Sequence, residues 1–572
     1  MTDAHHRLAP VWAGSGCTGS RNERCWPRSP WSWRPSHAAT AKKGFGTGPV
    51  PSVPGQEEGA GPSPPRQCAA AHNERMTRND TSDAPPDAAT THAWTALGGD
   101  PALLERVAYR PVSGGLPARL PVAELARATV GVCSLAAAEL GARRSGGAVP
   151  AVRVDEGAVA TAFVSERHLR IDGRKPTNFA PLSGFWRAAD GWVRTHANYP
   201  HHRARLLTAL GLPAHSGPDD LAAALAGRPA RAVQETVYAA GGLAVAVARP
   251  GESEIPLAGL PLIESRRIGE GAARPLPETP LPAHGPMSGP TSGVLPTSGV
   301  LPASGVLPAS GVRVLDLTRV IAGPVATRTL ALLGADVLRV DSPRLPEDPD
   351  AHADTGFGKR STALDLAAPE GRRTVEALLA DADVVITGYR PGALDRFGLA
   401  PDALLERHPG LIVAQLCAWG WSGPWAGRRG FDSLVQAATG IAAIEADADP
   451  DAGGRPGVLP AQALDHGTGY LLAAAVLRAL TERQETGGGR HLRFSLAGTA
   501  SWLMRGIAPA PLGRRADGPA HDPAPWLAET ASDLGKLRYA RSPVGFPVGS
   551  PDGPPVWSRP PGRLGADEPR WL

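Results

Sequence analysis

One acid in this sequence sits where it could act as a nucleophile. In LPAQALDHGTGYLLAAAVLRALTERQETGGGRHLRFSLAG, Asp465 precedes a long apolar run at helical spacing, which is followed by the strand-like HLRF. The unpaired N–H groups and positive dipole end of a helix mouth favour a carboxylate by about 0.3–1 kcal/mol when it is exposed, so Asp465 is expected to be ionised at pH 7. An ionised, positioned carboxylate can attack an activated acyl group. The turn expected at Gly467-Thr468-Gly469 would then offer backbone N–H groups to a developing oxyanion. Asp before a helix is also the ordinary N-cap, and the residues alone leave both readings open. His466, next along the chain, is either a second acid/base or a side chain lining the turn.

Other polar clusters carry less. His196, His201 and His202 invite a metal reading, but adjacent histidines point different ways, and no Cys or carboxylate stands at ligand spacing. They are expected to line a cleft or cap a helix, and no metal site is expected anywhere. SERHLRIDG (165–173) holds paired charges without a catalytic spacing and reads as a salt-bridged loop.

Asp465 needs a scaffold, and the segment before it supplies one. VRVLDL (312–317), DVLRV (336–340), STALDL (361–366), DVVIT (383–387) and LIVAQL (411–416) are short apolar runs separated by helical stretches such as AGPVATRTLALLGA and PEGRRTVEALLADA. That alternation predicts a parallel sheet with helices packed on it, an α/β, Rossmann-like large domain. VLDLTRVIAG lacks the Gly-x-Gly-x-x-Gly loop that lets backbone amides approach a pyrophosphate, so a nucleotide-dependent dehydrogenase is excluded. Upstream, LPVAELARATVGVCSLAAAELGARR has helical spacing and AVRV reads as a strand. A turn at Asp190-Gly191 leads through WVRTHANY to a helix near Pro200, a small α+β pattern.

The 572 residues are 42% hydrophobic and 20% charged, enough for several domains with a sizeable core. A balance of 59 basic to 55 acidic residues, without a basic stripe, argues against nucleic acid. No unbroken apolar stretch approaches the ~18 residues of a membrane span, so no membrane association is expected. Three of the five cysteines, Cys17, Cys25 and Cys68, fall near the start, which fits a reducing, cytoplasmic setting. Residues 1–94 read as a disordered leader that extends upstream of a candidate true start at Met76. Residues 276–311 read as a linker built on the SGVLP repeat, too short in period for a solenoid of ~20-residue units.

Residues 312–500 resemble the large domain of the family III (CaiB/BaiF) CoA-transferases. The resemblance rests on VRVLDLTRVIAGPVATRTLALLGADVLRVDSP, GKRSTALDLAAPEGRR, DADVVITGYRPGALDRFGL, GWSGPWAGRRGFDSLVQAATG and the Asp465 segment, in the family's order. It implies an interlocked homodimer, CoA lying along the large domain, and Asp465 as the nucleophile of an acyl-CoA:carboxylate CoA-transferase. Coenzyme A and acyl-CoA enter as substrates with a small carboxylic acid, and no permanently bound cofactor is implied. By matching positions it assigns CoA contacts to Val320, Ile321, Ala322, Leu364, Gly388, Tyr389, Arg396 and Arg429, with Lys359 and Arg360 close by. Phe357, Gly388 and Ser342 depart from residues common in the family. The related racemases place a His where this chain has Phe431, which disfavours an acyl-CoA racemase or isomerase. A non-catalytic CoA-binding protein is the remaining alternative.

The first half resembles a worn copy of the same family. Residues 121–163 lie on 461–503 at a constant offset, with Leu125 in the place of Asp465. The stretches DGWVRTHANYPHHRARLLTALGL and GRPARAVQETVYAAGGLAVAVARPGE resemble the family's small domain, and GKLRYARSPVGFP its C-terminal return. The expected order is a degenerate large-domain half (95–180), a small α+β domain (181–275), the linker, the large domain (312–510) and a Pro/Gly-rich return segment (511–572), a tandem, rearranged form.

Overall fold

The computed structural model describes residues 84–269, 273, 275–276, 307–448, 454–508, 520–547 and 556–572. Met76, the first three cysteines and most of the SGVLP linker lie outside the described residues.

The N-terminal half begins with β1 (Val107–Arg110), α1 (Val122–Ser145), β2 (Val152–Asp155) and α2 (Glu156–Ala162). β3 (Arg170–Ile171) follows. An antiparallel sheet is then formed by β4 (Phe185–Arg187), β5 (Trp192–Thr195) and β6 (Ala244–Ala246), with α3 (Pro200–Leu210) packed against it. Pro200 opens α3 at the position where its missing N–H costs nothing, and Gly211, at φ +73°, closes it. β7 (Glu264–Ile268) ends this half.

The C-terminal half contains β8 (Arg313–Leu317), α4 (Ala322–Leu332), β9 (Asp336–Asp341), β10 (Arg360–Ala363), β11 (Val384–Thr387), β12 (Ile412–Cys417), α5 (Asp432–Ala438), α6 (Ala463–Thr486), β13 (Gly489–Ser495) and α7 (Leu496–Ser501). Six of these strands pair in parallel in the order β10-β9-β8-β11-β12-β13, and β7 adds antiparallel to β13. The chain thus starts in the middle of the sheet at β8, works outward to β10, and returns to β11 on the other side. The carboxyl ends of β8 and β11 border the point where the winding reverses, the usual place for a ligand crevice in such sheets. The hairpin of β14 (Leu527–Ser532) and β15 (Gly535–Ala540) reaches back to β3, and β16 (Phe546–Pro547) pairs with β2.

Four features differ from the sequence expectation. Residues 84–94, inside the expected disordered leader, hold a bridge from Ala84 to Tyr109 and most of a helix (Ala88–Ala96), because Asp87 caps it and Trp94 is fully buried. The N-terminal half is woven into the large sheet through β7 instead of standing apart. The strand expected over 361–366 ends at Ala363, because Asp365 turns to accept from the Ala367 N–H and to meet Arg344. α1 is long and apolar enough to span a membrane by composition alone, yet 83% of that window is buried within the fold, chiefly against α6.

Burial of β9 required compensation, since it carries Asp336, Arg339 and Asp341 in a fully buried strand. Arg339 forks onto Asp341 at 2.8 Å for both bonds and reaches Glu347, while Asp336 receives Arg360. An unpaired charge there would cost several kcal/mol.

Candidate active site

Asp465 is the third residue of α6, with Gln462 at the cap position, and only 7% of it is exposed. It is therefore neither an N-cap nor an exposed carboxylate. Its backbone N–H donates to Oδ2 of Asp432 at 3.0 Å, which ties the first turn of α6 to the first residue of α5. Gln436 donates to the other Asp432 oxygen, and its own amide oxygen accepts from the Leu459 N–H at 2.9 Å. The segment entering α6 is thereby fixed by α5.

The electrostatics work against the ionisation expected of an exposed helix-mouth acid. Burial pushes the Asp465 carboxyl well above the usual range, and the nearby Asp432 and Glu166 push it further. Asp432, also buried, rises to about 6, against the hydrogen bonds it accepts. Helix-mouth stabilisation of about 1 kcal/mol at most is outweighed by desolvation and by neighbouring acids of like charge.

His466 is fully buried, stacked on Phe163 at 5.3 Å between ring centroids, and its Nε2 lies 3.5 Å from Oε2 of Glu166. That is an ion-pair distance rather than a good hydrogen bond. Burial works to raise Glu166, but His466, a backbone N–H and Arg167 together hold the carboxyl below its ordinary value. Phe163 and Glu166 belong to the N-terminal half, so the site is built from both halves.

The Gly467-Thr468-Gly469 reading is also corrected. These residues lie inside α6, not in a turn, beyond the first four N–H groups that a helix leaves free. The glycines serve packing. A Cβ on Gly469 would lie 2.6 Å from the carbonyl oxygen of Ala322, and one on Gly467 would lie 2.7 Å from Leu125 Cδ2. Thr468 bonds Thr499 of α7 at 2.7 Å.

The structure brings several of the sequence-assigned CoA positions together. Val320, Ile321 and Ala322 follow β8, and Gly388 and Tyr389 follow β11, with the Gly388 N–H donating to Leu317 at 3.3 Å. Val320 is held at φ +70°, unfavourable for a β-branched residue, and its N–H donates to Glu347 at 3.1 Å. Glu347 also accepts from Tyr199 at 2.7 Å and meets Arg319 and Arg339. Those cations, against burial, bring it down to about 2. Tyr389 is half-buried, Arg396 is exposed over the Phe397 ring, and Arg429 is exposed beside α5. Burial, with Arg390 and Arg205 next, lowers Arg429. Leu364 stands apart, past β10 at the sheet edge, packed on the outer core.

Lys359 and Arg360 are not available to a ligand. Lys359 is buried, with Nζ 3.2 Å from Asp316 and 2.9 Å from the Pro324 carbonyl, and burial brings it down to about 8 despite Asp316. Arg360 is consumed by Asp336 and the Arg570 carbonyl. Both are internal struts. Phe357 packs on Tyr539 and Trp557, at 4.3 and 5.2 Å between centroids, so this departure from the family serves the C-terminal segment.

Phe431 is stacked face to face on His196 at 3.8 Å and 7°. His196 is buried and falls to about 3, through burial first, then His202 and Arg194. Among the described residues no group of three or more His, Cys, Asp or Glu is placed to hold a metal ion. Sequence reasoning missed Asp432, Glu166, Glu347, Tyr199 and the place of His196. Asp432 lay in GFDSLVQAATG, where attention fell on Phe431; Glu166 lay in SERHLRIDG, read as a salt-bridged loop; and His196 and Tyr199 lay in WVRTHANY, whereas Glu347 lay in no quoted stretch.

The fold and site define an α/β protein with buried acids around the mouth of a helix and a parallel sheet whose winding reverses between β8 and β11. Residues 309–526 match the model of CoA-transferase family III. Among curated relatives, the probable fatty acyl-CoA transferase Rv3272 of Mycobacterium tuberculosis is 35% identical over 37% of this chain and 57% of its own length. The succinate–glutarate CoA-transferase of Agrobacterium fabrum is 33% identical over 34% and 52%. The crystal structure of Rv3272 matches 36% of this chain and 57% of its own at 35% identity, with a TM-score of 0.33. The chain thus spans about half the length of the relatives it matches.

Proposed function

We propose that this protein is an acyl-CoA:carboxylate CoA-transferase in which Asp465 is the nucleophile. The observation that carries the reading is Asp465 itself, a buried acid fixed by Asp432 at the mouth of α6 within a family III segment. The relatives named for transfer of CoA between small carboxylic acids support the substrate class.

The steps follow from the groups present. Ionised Asp465 attacks the carbonyl of a donor acyl-CoA, its oxygen forming an anhydride as the C–S bond breaks and CoA leaves as a thiolate. The thiolate then attacks the Asp465 carbonyl, releasing the donor acid as a carboxylate and leaving an aspartyl-CoA thioester. An acceptor carboxylate attacks that thioester, displacing CoA thiolate and forming a second anhydride. The thiolate takes the acceptor acyl group, and Asp465 is regenerated. Division into easier steps and exclusion of water preserve the thioester energy. The raised proton affinity of Asp465 makes it a stronger nucleophile once ionised.

Coenzyme A is drawn to the crevice on a Rossmann-like large domain, along Val320–Ala322, Gly388 and Tyr389. Arg429, Arg390 and Arg205 gather positive charge beside it, suited to phosphates. Phe431 in place of a proton-carrying residue, against a His196 held neutral, disfavours a racemase. A cytoplasmic setting is part of the same reading.

The test supplies an acyl-CoA donor with isotope-labelled carboxylates and follows label into the acyl-CoA pool. Wild type is expected to transfer CoA, and Asp465→Asn to lose the activity by a factor on the order of 10⁴ or more while still binding CoA. CoA binding without transfer to any acceptor would favour the non-catalytic alternative.

A further inference from the structure

We propose that the two halves of this chain form an internal quasi-two-fold pair, in which Phe163, Glu166 and His196 of the N-terminal half complete the Asp465 site, so that no second copy is required.

The repeat is visible in three dimensions. α1–β2–α2 and α6–β13–α7 are each a 24-residue helix, a strand and a short helix. Asp155 and Ser495, 340 positions apart, both cap the short helix by accepting backbone N–H groups through the side chain. α1 and α6 lie side by side and parallel. Leu125 meets Gly467, Glu139 pairs with Arg478, and Arg143 pairs with Glu485, so each contact joins positions within two residues of their counterparts. Such equal-height contact is what an isologous pair makes along its axis.

Strand exchange supplies an independent argument. β7 of the N-terminal half lies antiparallel on β13, with Glu264 opposite Arg493. β16 of the C-terminal half lies antiparallel on β2, with Phe546 opposite Arg153. Arg153 and Arg493 are themselves counterparts in the repeat. Each half therefore lends a strand to the same edge of the other, the reciprocity of a swapped dimer contained in one chain.

The pair has one live centre. The counterpart of Asp465 is Leu125, which is fully buried. Around Asp465 the N-terminal half brings Glu166 against His466, Phe163 onto the His466 ring, and His196 onto Phe431. The face of α6 that another copy would need is already covered by α1. The homodimer implied by family resemblance is replaced by this internal arrangement.

The site's completion rests on the reading of Asp465 as nucleophile, whereas the internal pair does not, and two measurements separate them. Sedimentation of the full chain across a wide concentration range, alone and with an acyl-CoA, is expected to give the mass of one chain, with adduct formed at that mass. Adduct or transfer confined to a two-chain species would overturn the proposal. A single-chain species without adduct from any donor would leave the internal pair standing and count against the nucleophile.

Glu166 is assigned as a positioning residue. Glu166→Ala is expected to slow adduct formation about tenfold or more through misplacement of the acid. Glu166→Gln is expected to move the pH profile of adduct formation to lower pH, since one of the acids around Asp465 is then neutral. Unchanged rate and profile in both variants would overturn the assignment. In a co-expressed mixture of Glu166→Ala and Asp465→Ala chains, adduct is expected to stay at the level of the Glu166→Ala chains alone. A rise toward wild type would mean that the site is completed by another copy.

Discussion

Gly469→Ala is expected to force α6 away from α4, because the new Cβ would sit 2.6 Å from the Ala322 carbonyl oxygen and 2.9 Å from Val325 Cβ. A backbone oxygen at the start of α4 cannot swing aside. Overpacking of this kind costs about 1–3 kcal/mol, against a gain of about 1 kcal/mol from replacing glycine in a helix. The expected net loss is up to about 2 kcal/mol. Gly467→Ala is the control, since the close contact of its Cβ is the end of the Leu125 side chain at 2.7 Å rather than backbone, with Thr129 at an ordinary 3.8 Å. It is expected to stay within about 1 kcal/mol of wild type. Urea unfolding of both variants, compared at equal m, reads the difference directly. The displaced residue is Ala322, so slower aspartyl adduct formation should accompany the loss in Gly469→Ala. Equal or greater resistance to urea in Gly469→Ala than in Gly467→Ala would refute the packing argument.

Asp432 and Asp465 both hold protons more tightly folded than unfolded. Their joint contribution to stability is present below about pH 4 and falls as pH rises through about 6 and beyond. Asp432→Asn should flatten that slope in urea titrations and move adduct formation to lower pH. Lys359→Met strands the buried Asp316, expected to cost about 3–5 kcal/mol, partly recovered in the double variant with Asp316→Asn when both are unfolded in urea. Arg429→Gln is expected to weaken CoA by about 1.5–3 kcal/mol in calorimetry, as loss of a hydrogen bond to a charged group, and to reduce the salt dependence of binding.

The large sheet was legible because parallel strands buried on both faces read as short apolar runs, and β8, β11 and β12 fall where VRVLDL, DVVIT and LIVAQL predict them. Asp465 was legible through its place before an apolar helix and its family segment. Its protonation was not, because burial by α1 and the approach of Glu166, almost three hundred positions upstream, are consequences of tertiary packing. Lys359 and Arg360 read as ligand cations because nothing local reveals that Asp316 and Asp336 stand opposite them across the sheet. Gly467 and Gly469 read as a turn because glycine is a turn former, yet here helix contact demands them. β7 and β16 carry no local mark of exchange, since ESRRI and Phe546-Pro547 acquire their meaning only from the strand edges they meet.

The central claim, that Asp465 carries the acyl and CoA groups covalently, is tested most directly by intact-mass measurement after mixing the full chain with a panel of acyl-CoAs, with hydroxylamine trapping and localisation of the modified residue. Wild type is expected to gain the mass of a CoA ester that hydroxylamine converts to a hydroxamate on Asp465, and Asp465→Ala to gain nothing. A hydroxylamine-sensitive adduct on another residue, or its persistence in Asp465→Ala, would contradict the account.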